Sequence, residues 1–210
     1  MAEIPDTRYA KNGDGVHIAF QVVGDGPLDV VFMPLGATHV ELAWELPAFA
    51  RVFRRLASFS RLIRFDMRGS GLSDPLNLGE LPSIEEHAGE MLAVLDAAGS
   101  EHAAVVANDT GGLLAIFFAA TYPKRVSSLV LEGCFARLAR APDYPWGVPT
   151  EVLDHAVARM RESAGAGGRE TLKFTAPHAM RDPGFLVQYE RYSRSVHSPG
   201  GLKGSAQHRL

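Results

Sequence analysis

The chain has 210 residues, of which 46% are hydrophobic and 21% are charged, the balance of an ordinary soluble globular protein. Its net charge of -3 gives no reason to expect nucleic acid or an anionic membrane surface as a partner. A single cysteine, Cys134, excludes an internal disulfide and a multi-cysteine metal site. We expect no metal and no cofactor. The polar N-terminus and the lack of a long apolar run lead us to expect a cytoplasmic protein.

The first elements of the chain are predicted to be three strands. "TRYAKN" and "VHIAFQVVG" are amphipathic and flank the turn-forming "NGDG", which is typical of an antiparallel hairpin. "LDVVFMP" is apolar throughout, which indicates a strand buried on both faces.

The segment from Leu28 to Gly133 alternates between predicted strands and helices. The predicted helices are "ELAWELPAFARVFRRLA", "SIEEHAGEMLAVLDAAG" and "GGLLAIFFAATYP", and the strands that follow them are "RLIRFDM", "HAAVVAN" and "VSSLVLEG". Ser83, with Glu86 three residues later, is predicted to cap the second helix. This alternation predicts an α/β fold, a mostly parallel sheet with helices on both faces.

The stretch "AAVVANDTGGLLA" places a carboxylate, Asp109, at a predicted strand-to-helix turn. A buried charge is costly unless it has partners or takes part in a reaction. Aspartate is a favoured N-cap, so one interpretation is that Asp109 only caps the helix that begins at Thr110 or Gly111. The other interpretation is a nucleophile elbow, a sharp turn that presents a reactive side chain.

Three stretches resemble the α/β-hydrolase fold, and the likeness covers residues 7 to 135. "FMPLGA" stands where such enzymes have an oxyanion loop, "RFDMRGSGLSDP" is similar to their D-x-R-G-x-G-x-S loop, and "ANDTGG" occupies the nucleophile elbow. The stretch "RRLASFSRLIRFDMRGSGLSDP" is also similar to hydrolase domains fused to nucleotide cyclases in actinobacteria. The elbow departs from the usual G-x-S-x-G, because Ala107 replaces the first glycine and Asp109 replaces the serine.

An aspartate at this position resembles the elbow of epoxide hydrolases and haloalkane dehalogenases, which implies that Asp109 is a catalytic nucleophile. A carboxylate can displace a leaving group at a saturated carbon and form an alkyl ester, which a histidine-activated water then hydrolyses. Dehalogenases usually place a tryptophan after the nucleophile, whereas this chain has Thr110, and this difference weakens the likeness to dehalogenases. We therefore expect the opening of epoxides or similar small apolar substrates.

The resemblance implies supporting roles near the elbow. Glu132, at the end of "VSSLVLEG", is expected to be the catalytic acid that orients the histidine, since ligands bind at this end of the strands. Leu35, Gly36 and Thr110 are expected to supply the N–H groups of an oxyanion site. For Glu132 the alternative is a solvated side chain, and for Leu35 and Gly36 it is a simple turn.

The chain after Gly133 resembles a partial helical lid. Its predicted helices cover residues 149–163 and 183–196, and "AGAGG" between them reads as a flexible joint. Epoxide hydrolases use lid tyrosines as acids, so Tyr189 and Tyr192 are candidates, although packing is the commoner use of tyrosine. We expect three parts: a hydrolase core at 1–135, the partial lid at 136–196 and a disordered tail at 197–210.

Two charged residues of "DMRGSG", Asp66 and Arg68, are predicted to be structural. We expect them to form a charged pair that fixes a glycine-rich loop without touching substrate. Cys134 is expected to be a small buried hydrophobe.

No histidine of the chain can be assigned as the catalytic base. In the α/β-hydrolase fold this histidine follows the last strand, and none of the candidate histidines does so: His39, His155, His178, His197 and His208. No buried strand is predicted after Gly133 either. We therefore expect a C-terminally incomplete member of the family, with an exposed sheet edge through which it can self-associate.

The sequence leaves more than one function open. The first is a hydrolase that acts through an aspartyl alkyl-enzyme ester on a small apolar substrate. The alternative is a truncated, non-catalytic, hydrolase-like protein that binds a ligand or a partner. A serine-like ester hydrolysis through another nucleophile is the third.

Overall fold

The computed structural model describes residues 4–33, 38–77, 81–162, 168–169, 172–173 and 176–196. The chain divides into two units, each described here by itself. The first comprises Met1–Leu76 and Pro82–Ala136, and the second comprises Asn77–Leu81 and Arg137–Leu210.

A sheet of six strands forms the centre of the first unit. The strands are β1 (Arg8–Lys11), β2 (His17–Val23), β3 (Asp29–Met33), β4 (Arg61–Phe65), β5 (Ala103–Asn108) and β6 (Val126–Glu132), in the spatial order β1-β2-β4-β3-β5-β6. β1 and β2 form the predicted hairpin, and β2 pairs antiparallel with β4. β3, β4, β5 and β6 are parallel. The predicted α/β fold with a mostly parallel sheet is confirmed.

Three helices connect the parallel strands: α1 (Pro47–Ala57), α2 (Ile84–Ala97) and α3 (Gly111–Thr121). The first predicted helix, which began at Glu41, is in fact divided into a 3-10 turn at Leu42–Glu45 and α1. Proline disfavours helical backbone in the residue before it, and Leu46 is accordingly extended, with a ψ of 110°. Pro47 itself suits the first turn of α1.

The predicted cap of α2 is confirmed. The Ser83 Oγ accepts a hydrogen bond from the Glu86 N–H at 3.3 Å, and the Ser83 N–H donates to the Glu86 Oε2 at 2.6 Å. This reciprocal pair satisfies two N–H groups that a helix start otherwise leaves without partners, so it fixes where α2 begins.

The first face of the sheet is covered by α2 and α3. Val31, Ile63 and Val105 are completely buried there, and they share one apolar cluster with Met91 of α2 and Phe118 of α3. This cluster is the main core of the first unit and holds the end of β5 in place.

The opposite face of the sheet is covered by α1. Phe53 of α1 lies edge-on to Phe32 of β3, with 5.8 Å between the ring centroids. The guanidinium of Arg64 lies over the same Phe53 ring, 3.6 Å from its centroid. Since neighbouring residues of a strand point to opposite faces, the helices lie on both faces, as predicted.

β6 is the last strand of the sheet, and its side chains are exposed. Along one row of paired residues the exposed fraction is 0% at Val31 and Val105 and rises to 37% at Leu129. Val130 and Leu131 are 52% and 42% exposed. An apolar strand of this kind is typical of burial on both faces, but the side chains of β6 are exposed, because no strand in the described part of the chain pairs with its outer edge. The exposed sheet edge that was predicted is present.

The second unit contains the two predicted helices, α4 (Thr150–Glu162) and α5 (Pro183–Val196). The Asp182 Oδ1 accepts a hydrogen bond from the Phe185 N–H at 3.1 Å and so caps α5. The predicted joint, apart from Gly168, and the predicted tail at 197–210 lie outside the described residues. Within the described ranges, no helix is both long enough and apolar enough to cross a membrane.

Candidate active site

Asp109 lies at the turn between β5, which ends at Asn108, and α3, which begins at Gly111. Its φ is 48°, and in the described residues no other non-glycine residue has a positive φ. This left-handed backbone costs an L-residue about 1 kcal/mol, and aspartate is one of the few side chains that tolerate it. A strained strand-to-helix turn of this kind is the geometry of a nucleophile elbow.

Backbone hydrogen bonds hold the elbow on both sides. The Asp109 N–H donates to the carbonyl oxygen of Glu132 at 3.0 Å, and the Asp109 carbonyl oxygen accepts from the Gly112 N–H at 3.1 Å. The turn is therefore fixed to the end of β6 and to the first turn of α3 without using the Asp109 carboxylate.

The carboxylate of Asp109 does not act as a helix cap. Thr110 is the N-cap residue of α3, and the cap has no side-chain hydrogen bond. Among the described residues, the half-buried Asp109 carboxylate has neither a hydrogen-bond partner nor an ion-pair partner. A carboxylate held without partners at this turn remains available to react.

A close contact with Cys134 explains why residue 112, in the first turn of α3, is a glycine. A Cβ placed on Gly112 would overlap the Cβ and Sγ of Cys134. The Cys134 Sγ also donates to the carbonyl oxygen of Ala107 at 3.4 Å, and its side chain packs against the core. Cys134 is half-buried, which fits the predicted small hydrophobe, and glycine at 112 lets α3 approach it closely.

The structure places the predicted catalytic acid, Glu132, beside the elbow through its backbone. Its carbonyl oxygen accepts the hydrogen bond from Asp109, whereas the residue as a whole is exposed. Its catalytic role stays a prediction.

The predicted oxyanion residues are described only in part. Thr110 is half-buried and directly follows Asp109 as the N-cap residue of α3, at a helix start where N–H groups lack partners within the helix. Leu35 and Gly36 lie outside the described residues. The oxyanion role of all three stays a prediction.

The predicted charged pair between Asp66 and Arg68 is wrong. Asp66 instead accepts hydrogen bonds from Thr38, Val40 and Leu72. The pKa of its carboxyl is raised, because the effect of burial is larger than that of these hydrogen bonds, which lower the pKa.

Arg68 pairs with carboxylates of α2. Its Nε donates to Glu90 at 2.6 Å, and a second nitrogen lies 3.6 Å from Glu86. The side chains of Asp66 and Arg68 are both structural, as expected, but each one fixes the loop after β4 to a different part of the fold.

A buried ion cluster was missed by the sequence reasoning. Glu90 of α2 is 1% exposed, and besides Arg68 it lies 2.9 Å from the Nδ1 of His87. The signal was the spacing of His87 and Glu90, which are three residues apart and thus share a face of the helix.

The candidate lid tyrosines lie together on α5. The rings of Tyr189 and Tyr192 have centroids 6.2 Å apart, and Tyr189 also stacks on Phe185 at 5.7 Å. Burial raises the pKa of the Tyr189 phenol, so this group gives up its proton less readily than a phenol in water. Their role as acids stays a prediction.

No described histidine is hydrogen-bonded to Asp109. The Nδ1 of His39 accepts from the Leu42 N–H at 3.3 Å, and the Nδ1 of His155 lies 2.9 Å from the Glu151 carbonyl oxygen. His178 lies in the 3-10 helix Pro177–Arg181, and His197 and His208 lie outside the described residues. The described ranges also bring no three metal-ligating side chains together.

The parallel sheet, its flanking helices and the positive φ at the elbow define an α/β protein of the type that carries a nucleophile elbow. A family model described as alpha/beta hydrolase fold matches residues 40–204, which is most of the chain. The chain belongs to the alpha/beta hydrolase fold family.

Curated relatives match shorter parts of the chain. Epoxide hydrolase 1 of Caenorhabditis elegans is 38% identical over 77 residues, which are 37% of this chain and 19% of that protein. A putative 2-succinyl-6-hydroxy-2,4-cyclohexadiene-1-carboxylate synthase of Bacillus subtilis (strain 168) is 32% identical over 120 residues, 57% of this chain and 41% of that protein. The chain thus spans less than half the length of these two relatives.

Solved structures share the fold. The esterase RhEst1 from Rhodococcus sp. ECU1013 superposes with a TM-score of 0.74 at 24% identity, over 97% of this chain and 73% of that chain. At this identity the similarity establishes the architecture and does not extend to the reaction.

Proposed function

We propose that the protein is a hydrolase that opens epoxides, or similar small apolar electrophiles, through an ester on Asp109. The observation that carries this proposal is the Asp109 carboxylate itself, placed at the elbow with a φ of 48° and with no partner among the described residues. The epoxide hydrolase among the relatives supports the same reaction class.

The reaction has two covalent steps. A carboxylate oxygen of Asp109 attacks a ring carbon of the epoxide, the carbon–oxygen bond of the ring breaks, and the epoxide oxygen takes a proton. Water then adds to the ester carbonyl, the alcohol leaves as a diol, and the carboxylate returns. The first step needs only the nucleophile, an acid and a site for the anion.

The remaining residues fit these steps as supporting groups. Tyr189 and Tyr192 are the candidate acids that protonate the epoxide oxygen. The N–H groups of Leu35, Gly36 and Thr110 would stabilise the oxyanion in the second step. Glu132 would orient the base that activates water. Thr110, in place of a halide-binding tryptophan, favours epoxides over alkyl halides.

The same proposal includes the organisation and location of the protein. Residues 1–135 form the hydrolase core, 136–196 a partial lid and 197–210 a tail, and the protein acts in the cytoplasm.

The test is a covalent mass shift after incubation of the purified chain with styrene oxide. We expect one adduct per chain, mapped to Asp109 and released by hydroxylamine, which cleaves esters. Because no described histidine contacts Asp109, the ester should accumulate, since the second step is the one that needs a base.

Two variants control this experiment. Asp109→Asn keeps the shape of the side chain but is a poor nucleophile, so its adduct should be lost. Cys134→Ala removes a thiol that styrene oxide could alkylate and should leave the ester adduct unchanged. An unmodified wild-type chain favours the ligand-binding alternative, and fast turnover that survives in Asp109→Asn shows that another group is the nucleophile.

A further inference from the structure

The exposed face of α1 carries three arginines. Ala50 and Phe53, which are 1% and 5% exposed, define the face of the helix that packs on the sheet. Arg51, Arg54 and Arg55 are exposed, and residues three and four apart share one face of a helix. α1 contains no aspartate or glutamate. The helix therefore concentrates positive charge on its outer surface.

The three arginines of α1 have no carboxylate partner among the described residues. Like charges at this spacing repel each other, and an anionic partner would relieve that repulsion. The negative end of a helix favours cations in its last turn, which accounts for Arg54 and Arg55 but not for Arg51, one turn earlier. The helix by itself therefore does not explain the whole cluster.

Exposed apolar side chains border the arginines. Val52 and Phe59 are each 46% exposed and lie three residues before and four residues after Arg55, whose guanidinium lies over the Phe59 ring at 5.8 Å from its centroid. Leu28 is 58% exposed, and its carbonyl oxygen accepts from the Arg61 N–H at 2.7 Å, which places it beside the residues that follow α1. The surface thus combines cations with apolar groups.

We propose that this face of α1 docks on an anionic lipid surface, with the arginines at the headgroups and Phe59 in the interface. A membrane interface accepts cations and apolar side chains at the same time. The outer side of a helix also meets a flat surface directly, whereas peptides bind to proteins in grooves or along strand edges. The proposal goes beyond the proposed function and does not depend on the reaction at Asp109.

The position of this face in the fold separates it from the candidate active site. β3, β4 and β5 are parallel. Leu28 and Phe59 precede β3 and β4, whereas Asp109 follows β5, so they lie at opposite ends of the sheet. The net charge of -3 opposes the approach of the chain as a whole to an anionic membrane, so binding must come from a local cationic surface.

The experiment measures co-sedimentation of the purified chain with vesicles of phosphatidylcholine alone and of phosphatidylcholine with about one-third phosphatidylserine. We expect binding to the anionic vesicles alone, and this binding should weaken as salt screens the charges. The double variant Arg51→Glu with Arg55→Glu should bind at least about thirtyfold more weakly, since each arginine near an anionic membrane contributes about fivefold.

A second double variant, Lys11→Glu with Lys124→Glu, is the matched control. Both lysines are exposed and lie outside α1, and the variant changes the net charge by the same amount. It should bind within about threefold of wild type. If the two double variants bind equally weakly, the total charge of the chain decides binding and the proposal is overturned.

Three single variants test the groups around the arginines. Phe59→Ser should weaken binding at high as well as low salt, whereas Val187→Ser, at a position 68% exposed on α5, should bind like wild type. Asp25 is exposed in the loop whose Gly26 packs against the backbone of Phe59. Asp25→Asn removes a negative charge there and should strengthen binding by about fivefold.

The remaining outcomes also decide the proposal. Circular dichroism checks that each variant is folded, and Arg51→Gln and Arg55→Gln, each expected to bind about fivefold more weakly, replace a double variant that does not fold. Wild type that does not bind anionic vesicles at low salt overturns the proposal. Binding of polyuridylate or polyglutamate through the same arginines, without binding to vesicles, overturns it in favour of a nucleic acid or an acidic protein.

Discussion

The backbone N–H of Asp109 donates to the carbonyl oxygen of Glu132 at 3.0 Å, so the elbow and the end of β6 are joined directly. The bond uses no side chain, which leaves both carboxylates free for other roles. It also helps to hold Asp109 in a backbone conformation that an L-residue adopts only at a cost in free energy.

This backbone conformation predicts the relative stability of two variants. Glycine adopts a positive φ without steric cost, whereas alanine does not. Asp109→Gly should therefore be about 1 kcal/mol more stable than Asp109→Ala. Urea unfolding of both variants measures the difference, and an alanine variant as stable as the glycine variant would show that the backbone at 109 is not strained.

The contact between Gly112 and Cys134 predicts a packing defect. An added methyl group at 112 would overlap the Cys134 side chain, so Gly112→Ala should lower the free energy of unfolding by about 1–3 kcal/mol. Because Gly112 also donates to the Asp109 carbonyl oxygen, ester formation should slow in the same variant.

The double variant Gly112→Ala with Cys134→Gly tests the cause of this defect. Removal of the Cys134 side chain makes room for the new methyl group, so part of the lost stability should return. If the double variant instead loses the sum of the unfolding free energies lost by the two single variants, the two residues do not interact.

The buried Asp66 predicts an unusual pH dependence of stability. Burial raises the pKa of its carboxyl, so its contribution to stability is complete below the unfolded pKa of about 3.9 and is lost as the pH rises through the folded pKa. Urea unfolding across pH should show that wild type loses stability relative to Asp66→Asn as the pH rises.

Asp74 is the control, because its contribution to stability should change with pH in the opposite direction. The hydrogen bond from the His17 N–H lowers the pKa of the Asp74 carboxyl, so its contribution is present above the unfolded pKa and is lost as the pH falls. Wild type should therefore become more stable relative to Asp74→Asn as the pH rises. The same trend in both comparisons contradicts the assignment for Asp66.

The exposed edge of β6 predicts self-association of the chain. The strand carries no charged residue from Val126 to Leu131, and an antiparallel pairing centred on Leu129 sets Glu132 of each chain opposite Val126 of the other. The two carboxylates then stay apart, and the unpaired backbone groups of both edges are satisfied. We expect the sedimentation coefficient to rise with concentration.

A charge on this edge should prevent the association. Val130 is 52% exposed on β6, and Val187, 68% exposed on α5, offers the matched control. Val130→Lys should remain monomeric, whereas Val187→Lys should associate like wild type. Wild-type protein that stays monomeric over the whole concentration series, with a sharp cooperative unfolding transition, contradicts the prediction.

Local patterns predicted the order of the elements well. Alternating apolar segments are enough to indicate parallel strands and helices, and Ser83 with Glu86 is a cap that acts within four residues. The elbow also follows from a short stretch, because Asp109 stands between a strand and two glycines. In each case the residues that decide the structure are neighbours in the chain.

Features that depend on distant residues were not predictable in this way. The partners of Asp66 come from Thr38, Val40 and Leu72, and only the folded loops bring them to one carboxylate. The exposure of β6 depends on which strands lie beside it, and the apolar sequence of the strand itself does not contain that information.

The one-sided pairing of β6 has a consequence for the order in which the fold opens. β5 is paired with a strand on either side, whereas in the described part of the chain β6 is paired with β5 alone, so β6 should open before β5. When β6 separates, Asp109 loses the carbonyl oxygen that holds its N–H, and the elbow can relax to an ordinary negative φ. The candidate nucleophile therefore depends on an edge strand that opens before β5, and its reactivity should fall under mild denaturation before the main core unfolds.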